Sequence, residues 1–395
     1  MDNTGISAQI DFTPLPGSLV AYVSNSGDNT VSVLSLESLR VVDTILVGNS
    51  PRAMVLTPDG SRLYAANLLS ENVSVIDTLS ATVIGTIPVG KSPCALAVSR
   101  NGQRVYVANE ESDSLSVINT ASHLIETTVQ TLVSPTSLAF HPQREELWVG
   151  FGDHSDVLVL SAGNYIQLAS LTSTTGRIYG SGGLTFVPDG TEVFGTETCG
   201  CCGRFHRISG SHSNGGIPVL QEDLFYGGGW AVGVAVHPSG SPAYFAQQGH
   251  CATPPAPRIS ELGGANRTLA LSEAPQALAV TPEGDRLCIV GTTSVRLVDT
   301  TTLDTIADVG VGIAPKAIAI GRINRGPTLS VRVASVQLCW NTIGNAKYQV
   351  EYKSEVAGDV WHSLGDPVAG DGTTTCITAS ALETPKRLYR VRLVE

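Results

Sequence analysis

The segments "LVAYVSNSGDNTVSVLSL", "RLYAANLLSENVSVIDTL" and "RVYVANEESDSLSVINTA" align directly with one another. A repeat at fixed spacing constrains a chain more than any composition does, because one local structure must recur and its copies must pack. The period is 42 residues between Gly60 and Gly102, and it stretches to 50 between Gly190 and Gly240. Each copy is followed by an apolar run, then "G-x-x-P", then "MVLTPDG", "LAVSRNG" or "LAFHPQR".

Two families of short apolar runs can be counted. The first, seven in number, is expected as second strands at 19–24, 62–67, 104–109, 146–151, 192–197, 242–247 and 286–291. The second, of the "ALAV" type, is expected as inner strands at 52–57, 94–99, 136–141, 183–188, 233–237, 277–281 and 316–320. Four short strands per copy with turn residues between them specify a propeller blade. A lone blade cannot bury both faces, but a ring of blades does. The first copy starts at its second strand, so "KAIAI" (316–320) is expected to supply its missing inner strand and close the ring. The fold class is therefore all-β: a seven-bladed β-propeller at 17–323, after an N-terminal extension at 1–16.

The tetrads "YVSN" (22–25), "YAAN" (64–67) and "YVAN" (106–109), each followed by a "VSV"-type strand, resemble the YVTN family of seven-bladed propellers. The resemblance spans about three quarters of the chain and is clearest in blades one to three. Blades four to six depart from it with "LWVGFGDHSD", "VFGTETCGCCGRFH" and "AYFAQQGHCATPPAPR". Related propellers include binding scaffolds, surface-layer proteins and lactonase-like enzymes, so the resemblance implies a fold before it implies an activity.

After "GRINRGP" (321–327) the repeat stops. Residues 328–395 alternate like short strands, with Trp340 and Trp361 as expected core anchors. The pattern looks like the fibronectin type III-like β-sandwich modules at the C-termini of secreted bacterial proteins. Such a module implies a surface or protein partner rather than chemistry. Cys339 and Cys376 are its two cysteines, and we read them as a disulfide that compensates for a small core.

Charge narrows the partners. The chain carries 24 Lys and Arg against 35 Asp and Glu, a formal net charge of −11. Such a surface does not suit nucleic acid, whose phosphates need cations. No run of 18 apolar residues suggests a membrane span. The N-terminus, "MDNTGISAQIDFTPLPG", does not read as a signal peptide. Paired cysteines and scarce lysine point to an extracytoplasmic setting, whether periplasmic, secreted or at the cell surface.

Loops from successive blades gather at one mouth of a propeller channel, and that is where function concentrates. The unusual residues fall in such loops: Asp153 in blade four; Glu197, Cys199, Cys201, Cys202, Arg204 and His206 in blade five; Gln248, His250 and Cys251 in blade six. Arg177, Tyr179, Tyr226 and Trp230 approach the inner strands beside them. Three readings of the cysteines stand open. They staple a long loop through Cys251. They bind zinc or copper with His206 and His250, using Cys199, Cys201 and Cys251. Or Cys202 is a nucleophile beside a histidine base and Arg204. Cys94 and Cys288 lie in apolar runs and read as small buried hydrophobes. His141 and His237 end equivalent inner strands and read as turn formers.

The leading expectation is recognition of a small molecule or glycan at the mouth of blades four to six. Arg177, Tyr179, Arg204, Tyr226, Trp230 and Gln248 would line it, aromatic faces and arginines suiting a sugar or an anion. The alternative is a lactonase or phosphoester hydrolase at the same place, with Asp153, His206, His250 and Cys202 as ligands, bases or nucleophile. A third reading is a structural surface or assembly protein.

Overall fold

The computed structural model describes residues 9–12, 18–131, 133–152, 156–172, 183–197, 204–209, 220–224, 230–248, 256–323, 329–332, 335–341, 346–353, 362–363, 366–369, 373–380 and 388–394. The chain divides into two compact units, Pro16–Arg325 and a second made of Met1–Leu15 with Gly326–Glu395. Among the described residues no helix is long and apolar enough to cross a membrane.

The larger unit is a seven-bladed β-propeller, each blade an antiparallel sheet of four strands. The inner strands are Pro315–Ile323, Pro51–Leu56, Pro93–Val98, Pro135–Phe140, Gly183–Phe186, Trp230–Val236 and Ala277–Val280, in blades one to seven. Each packs beside the next, and the seventh packs beside the first. Closure comes from the expected place. The strand Pro315–Ile323 pairs antiparallel with Ser18–Asn25, from Ser18 opposite Ile323 to Asn25 opposite Pro315. Blade one is thus built from both ends of the propeller, and the ring cannot open at that seam without breaking a ladder.

The second strand of each regular blade is apolar on both faces, because a neighbouring blade covers each one. Ser18–Asn25 is buried at all eight positions. Clusters of buried residues fill each interface. Between blades one and seven, Leu19, Ala21, Val23, Leu34 and Leu36 meet Cys288, Val290, Val295, Leu297 and Val309.

The repeated tetrad has a physical reason. Tyr22, Tyr64 and Tyr106 are at most 1% exposed and fill the blade interfaces. Asn25, Asn67 and Asn109 end the second strands, fully buried. Their Nδ2 groups donate to Ser32, Ser74 and Ser116 Oγ on the third strand at 2.9 Å each. The loop that leads into the inner strand lies directly against these amides. A Cβ on Gly48, Gly90 or Gly312 would come within 2.7 Å of Asn67, Asn109 or Asn25, which only glycine tolerates. At the other end, the repeat glycines Gly60, Gly102, Gly190, Gly240 and Gly284 take φ between +71° and +93° to turn the inner strand into the second.

The smaller unit is also built from strands. The N-terminal strand Gln9–Phe12 pairs with Leu329–Arg332, so residues expected as a mere extension supply a strand to this unit. Ser335–Asn341 pairs with Thr374–Ser380. Lys347–Lys353 pairs with His362–Ser363, Val368–Ala369 and Leu388–Leu393.

Candidate functional site

One end of the channel is shaped by an irregularity that recurs around the ring. In blade two, Pro51 faces Asn67 and Ala53 faces Ala66, so Arg52 is left over. The same extra residue appears as Lys316 in blade one, Cys94 in blade three, Thr136 in blade four and Val232 in blade six. A β-bulge of this kind ends pairing and re-aims a side chain. Five blades therefore turn an equivalent residue at the start of the inner strand, where the chain enters from the rim.

These side chains link along the ring. Gln276 precedes the inner strand of blade seven, and Lys316 Nζ donates to its Oε1 at 3.0 Å. Arg52 is 49% exposed, with its Nη1 3.8 Å from Glu110 Oε2 in blade three. Cys94 Sγ lies 3.4 Å from the Pro135 carbonyl of blade four. Thr136 Oγ1 stays within blade four, donating to the Gly150 carbonyl at 3.3 Å.

The surrounding rim is clamped by backbone. Ile313 N donates to Asp28 Oδ2 at 3.0 Å, Asn49 N to Ser70 Oγ at 2.6 Å and Lys91 N to Ser112 Oγ at 2.6 Å. Glu273 accepts from Thr292 N at 2.8 Å and from Ser294 Oγ at 3.1 Å. The loops of blades one, two, three and seven are thus fixed, which holds the bulged residues in place.

Burial pushes the Cys94 thiol up to about 12, with Glu110 adding to the rise and Arg52 opposing it. Burial likewise pushes Cys288 up to about 12. Both are free and buried, as their apolar runs suggest. Thiolate is the reactive form, so neither is expected to react with iodoacetamide at pH 8 in the folded protein. Peptide mapping after labelling checks this; alkylation of Cys94 at the rate of a free peptide thiol would contradict its burial.

The residues singled out in blades four to six divide between the two sides of the described region. Asp153, Arg177, Tyr179, Cys199, Cys201, Cys202, Tyr226, His250 and Cys251 lie outside the described residues. Glu197 and Arg204 face each other as the last pair of their hairpin. Trp230 and Gln248 are also direct cross-strand partners, in blade six. Gln248 is partly spent: its Nε2 donates to the Pro275 carbonyl of blade seven at 2.8 Å. His206 belongs to a strand rather than a loop. Arg204–Ser209 pairs on both sides, which places His206 between Gly195 and Asp223, only 2% exposed. That position is within the blade. His141 and His237 shape turns, their Nδ1 atoms accepting from Gln143 N at 3.0 Å and Ser239 N at 3.1 Å.

Among the described residues no cluster of three or more His, Cys, Asp and Glu could hold a metal ion. A polar cleft of about 490 Å³ opens at the opposite end, between turns of blades two and three. Its Asp59 already accepts from Thr57 Oγ1 at 2.6 Å and Ser61 N at 3.0 Å. Arg52, Gln276 and Lys316 were passed over by sequence reasoning because they sit in regular blades. The available signal was the residue after the rim proline, which reads R, C, T, Q and K around the ring.

The fold and the mouth define a class, that of seven-bladed propellers. The family described as "Lactonase, 7-bladed beta-propeller" matches residues 7–82. The fold is similar to that of a putative 6-phosphogluconolactonase from Bacteroides uniformis, with TM-score 0.61 and 17% identity over 77% of this chain and 100% of that one. It is equally similar to a putative 6-phosphogluconolactonase from Bacteroides fragilis, with TM-score 0.62 and 14% identity over 77% and 98%. It also resembles a Kuenenia stuttgartiensis hydrazine synthase structure, with TM-score 0.60 and 17% identity over 69% and 95%. A search of curated protein sequences gave no match.

Proposed function

We propose that this protein binds a small molecule or glycan at the mouth of the propeller channel, outside the cytoplasm. The observation that carries the reading is the recurring bulge, which turns Lys316, Arg52, Cys94, Thr136 and Val232 at one end of the inner strands. On the far side of the ring, Trp230 pairs with Gln248 and Arg204 with Glu197 at the strand ends. Arginine, lysine and threonine at that end, with a tryptophan in the sequence of blade six, suit a hydroxylated ligand. In this reading the repeats are of the YVTN type. The smaller unit is a fibronectin type III-like module that contacts a surface or another protein.

A thermal-shift screen of sugars, sugar acids and oligosaccharides tests the proposal. A hit is expected to raise the melting temperature of the wild type and to lose about tenfold in affinity in Trp230→Ala, from one lost stacking contact. Circular dichroism verifies that the variant folds. A screen without hits, or hits indifferent to both Trp230→Ala and Arg204→Ala, would count against binding at the mouth.

A second reading, a lactone hydrolase, is favoured by the lactonase family match at residues 7–82 and by the two phosphogluconolactonase-like structures. Acid release from sugar lactones, followed with a pH indicator, separates the two. Turnover abolished by Asp153→Asn, with binding retained, would establish the enzyme.

The extracytoplasmic setting has its own test. Cys339 and Cys376 are direct cross-strand partners, and opposed antiparallel residues lie about 4.5–5.5 Å apart at Cα, within disulfide range. A non-reducing peptide map is expected to contain the two joined. Two alkylated free thiols there would remove this support for an oxidising compartment.

A further inference from the structure

We infer that the mouth between blades seven, one and two binds the oxyanion end of a small ligand, a carboxylate or a phosphate, through Arg52 and Lys316. The inference rests on the small-molecule reading above and adds to it a charge and a place.

Five of the propeller's arginines are held in close ion pairs, which Arg52 is not. Arg62, Arg104, Arg207, Arg267 and Arg296 each lie within 2.8 Å of a carboxylate oxygen. Those pairs brace strands and turns. Arg52 reaches its nearest carboxylate, Glu110, only at 3.8 Å and stays half exposed. Lys316 is exposed and its Nζ donates to a neutral partner, the Gln276 amide. A side chain with several donors and one distant or neutral partner retains hydrogen-bonding capacity.

The two cations occupy equivalent bulged positions on adjacent inner strands. Bulges that re-aim side chains gather at binding sites, and here the same device sets two positive charges at equivalent positions on one end of the ring. Two of the carboxylates nearby are engaged elsewhere. Asp28 accepts from Ile313 N, and Glu273 from Thr292 and Ser294. Glu110 faces Arg52. Glu71, Glu111, Asp113 and Lys91 lie in the rim loops between strands. The chain's net charge of −11 repels anions at large, so an anion held here needs a local reason. A planar guanidinium and an ammonium on adjacent inner strands supply one, since a carboxylate or phosphate accepts from either cation. Gln276 orients the lysine.

Calorimetric titration at low ionic strength with D-gluconate, inorganic phosphate and D-glucose tests the inference. Glucose shares the hydroxyls of gluconate without its charge, and phosphate carries charge without the sugar. Gluconate or phosphate is expected to bind the wild type, to weaken with added salt, and to lose about tenfold or more in affinity in R52A/K316A. The control R40A/R100A removes the same charge from exposed sites away from the mouth and is expected to bind like the wild type. The arm that binds identifies carboxylate or phosphate as the source. Equal anion affinity in R52A/K316A, or no anion binding by the wild type, would overturn the inference. Glucose or another neutral compound binding where anions do not would sink the inference and leave the small-molecule reading standing. Failure of every compound would sink both.

Discussion

Val23→Asp is expected to unfold the propeller. Val23 is fully buried, faces Ile318 across the closing ladder, and packs in the cluster that joins blade one to blade seven. An aspartate there has no cationic partner within the cluster. An uncompensated charge left in a core costs about 3–5 kcal/mol, a large share of the roughly 5–15 kcal/mol that holds a domain folded. Val23→Ala leaves a cavity without a charge and is expected to cost about 2 kcal/mol. Val42→Asp, on an outer strand and 37% exposed, is expected to stay within about 0.5 kcal/mol of the wild type. Urea unfolding followed by circular dichroism checks the series. A Val23→Asp protein as stable as Val42→Asp would mean that the seam between the chain ends is not a core.

Trp148→Ala is the second large effect. Trp148 heads the fully buried side chains by volume and sits in the second strand of blade four. It packs among Ala139, Val157, Val159, Leu184, Val193 and Ile208, with Phe186 edge-on at 5.2 Å between ring centroids. The indole thus ties blade four to blade five, where the chain departs from its repeat. Truncation to alanine is expected to cost about 3–5 kcal/mol, and Trp148→Phe clearly less because a ring still fills most of the gap. Equal losses for alanine and phenylalanine would show that the indole's shape, rather than its bulk, is what the interface requires.

The architecture was legible because its rules are local and repeated. Tyr64 and Asn67 recur at fixed spacing since each fills the same interface or caps the same loop, and the closing strand was readable as the piece missing from the first copy. What was not legible depends on pairing between distant segments. Nothing in Gln9–Phe12 signals a partner more than 300 residues away. His206 seemed to belong to a cysteine-bearing loop, but Arg204 already starts a strand paired on both sides. The mouth itself was hidden most fully. "PRA" and "PKA" read as ordinary strand starts, and only the register shows Arg52 and Lys316 as the residues left over. Unusual composition drew attention to blades four to six, whereas the arginine and lysine at the described mouth lie in the plainest repeats.

The most direct measurement is a crystal structure of the protein soaked with D-gluconate. The account expects difference density at the channel mouth, with an oxyanion in hydrogen-bonding reach of Lys316 Nζ and the Arg52 guanidinium. Density only at the opposite end or on the outer strands, or an unoccupied mouth at saturating ligand, would contradict it.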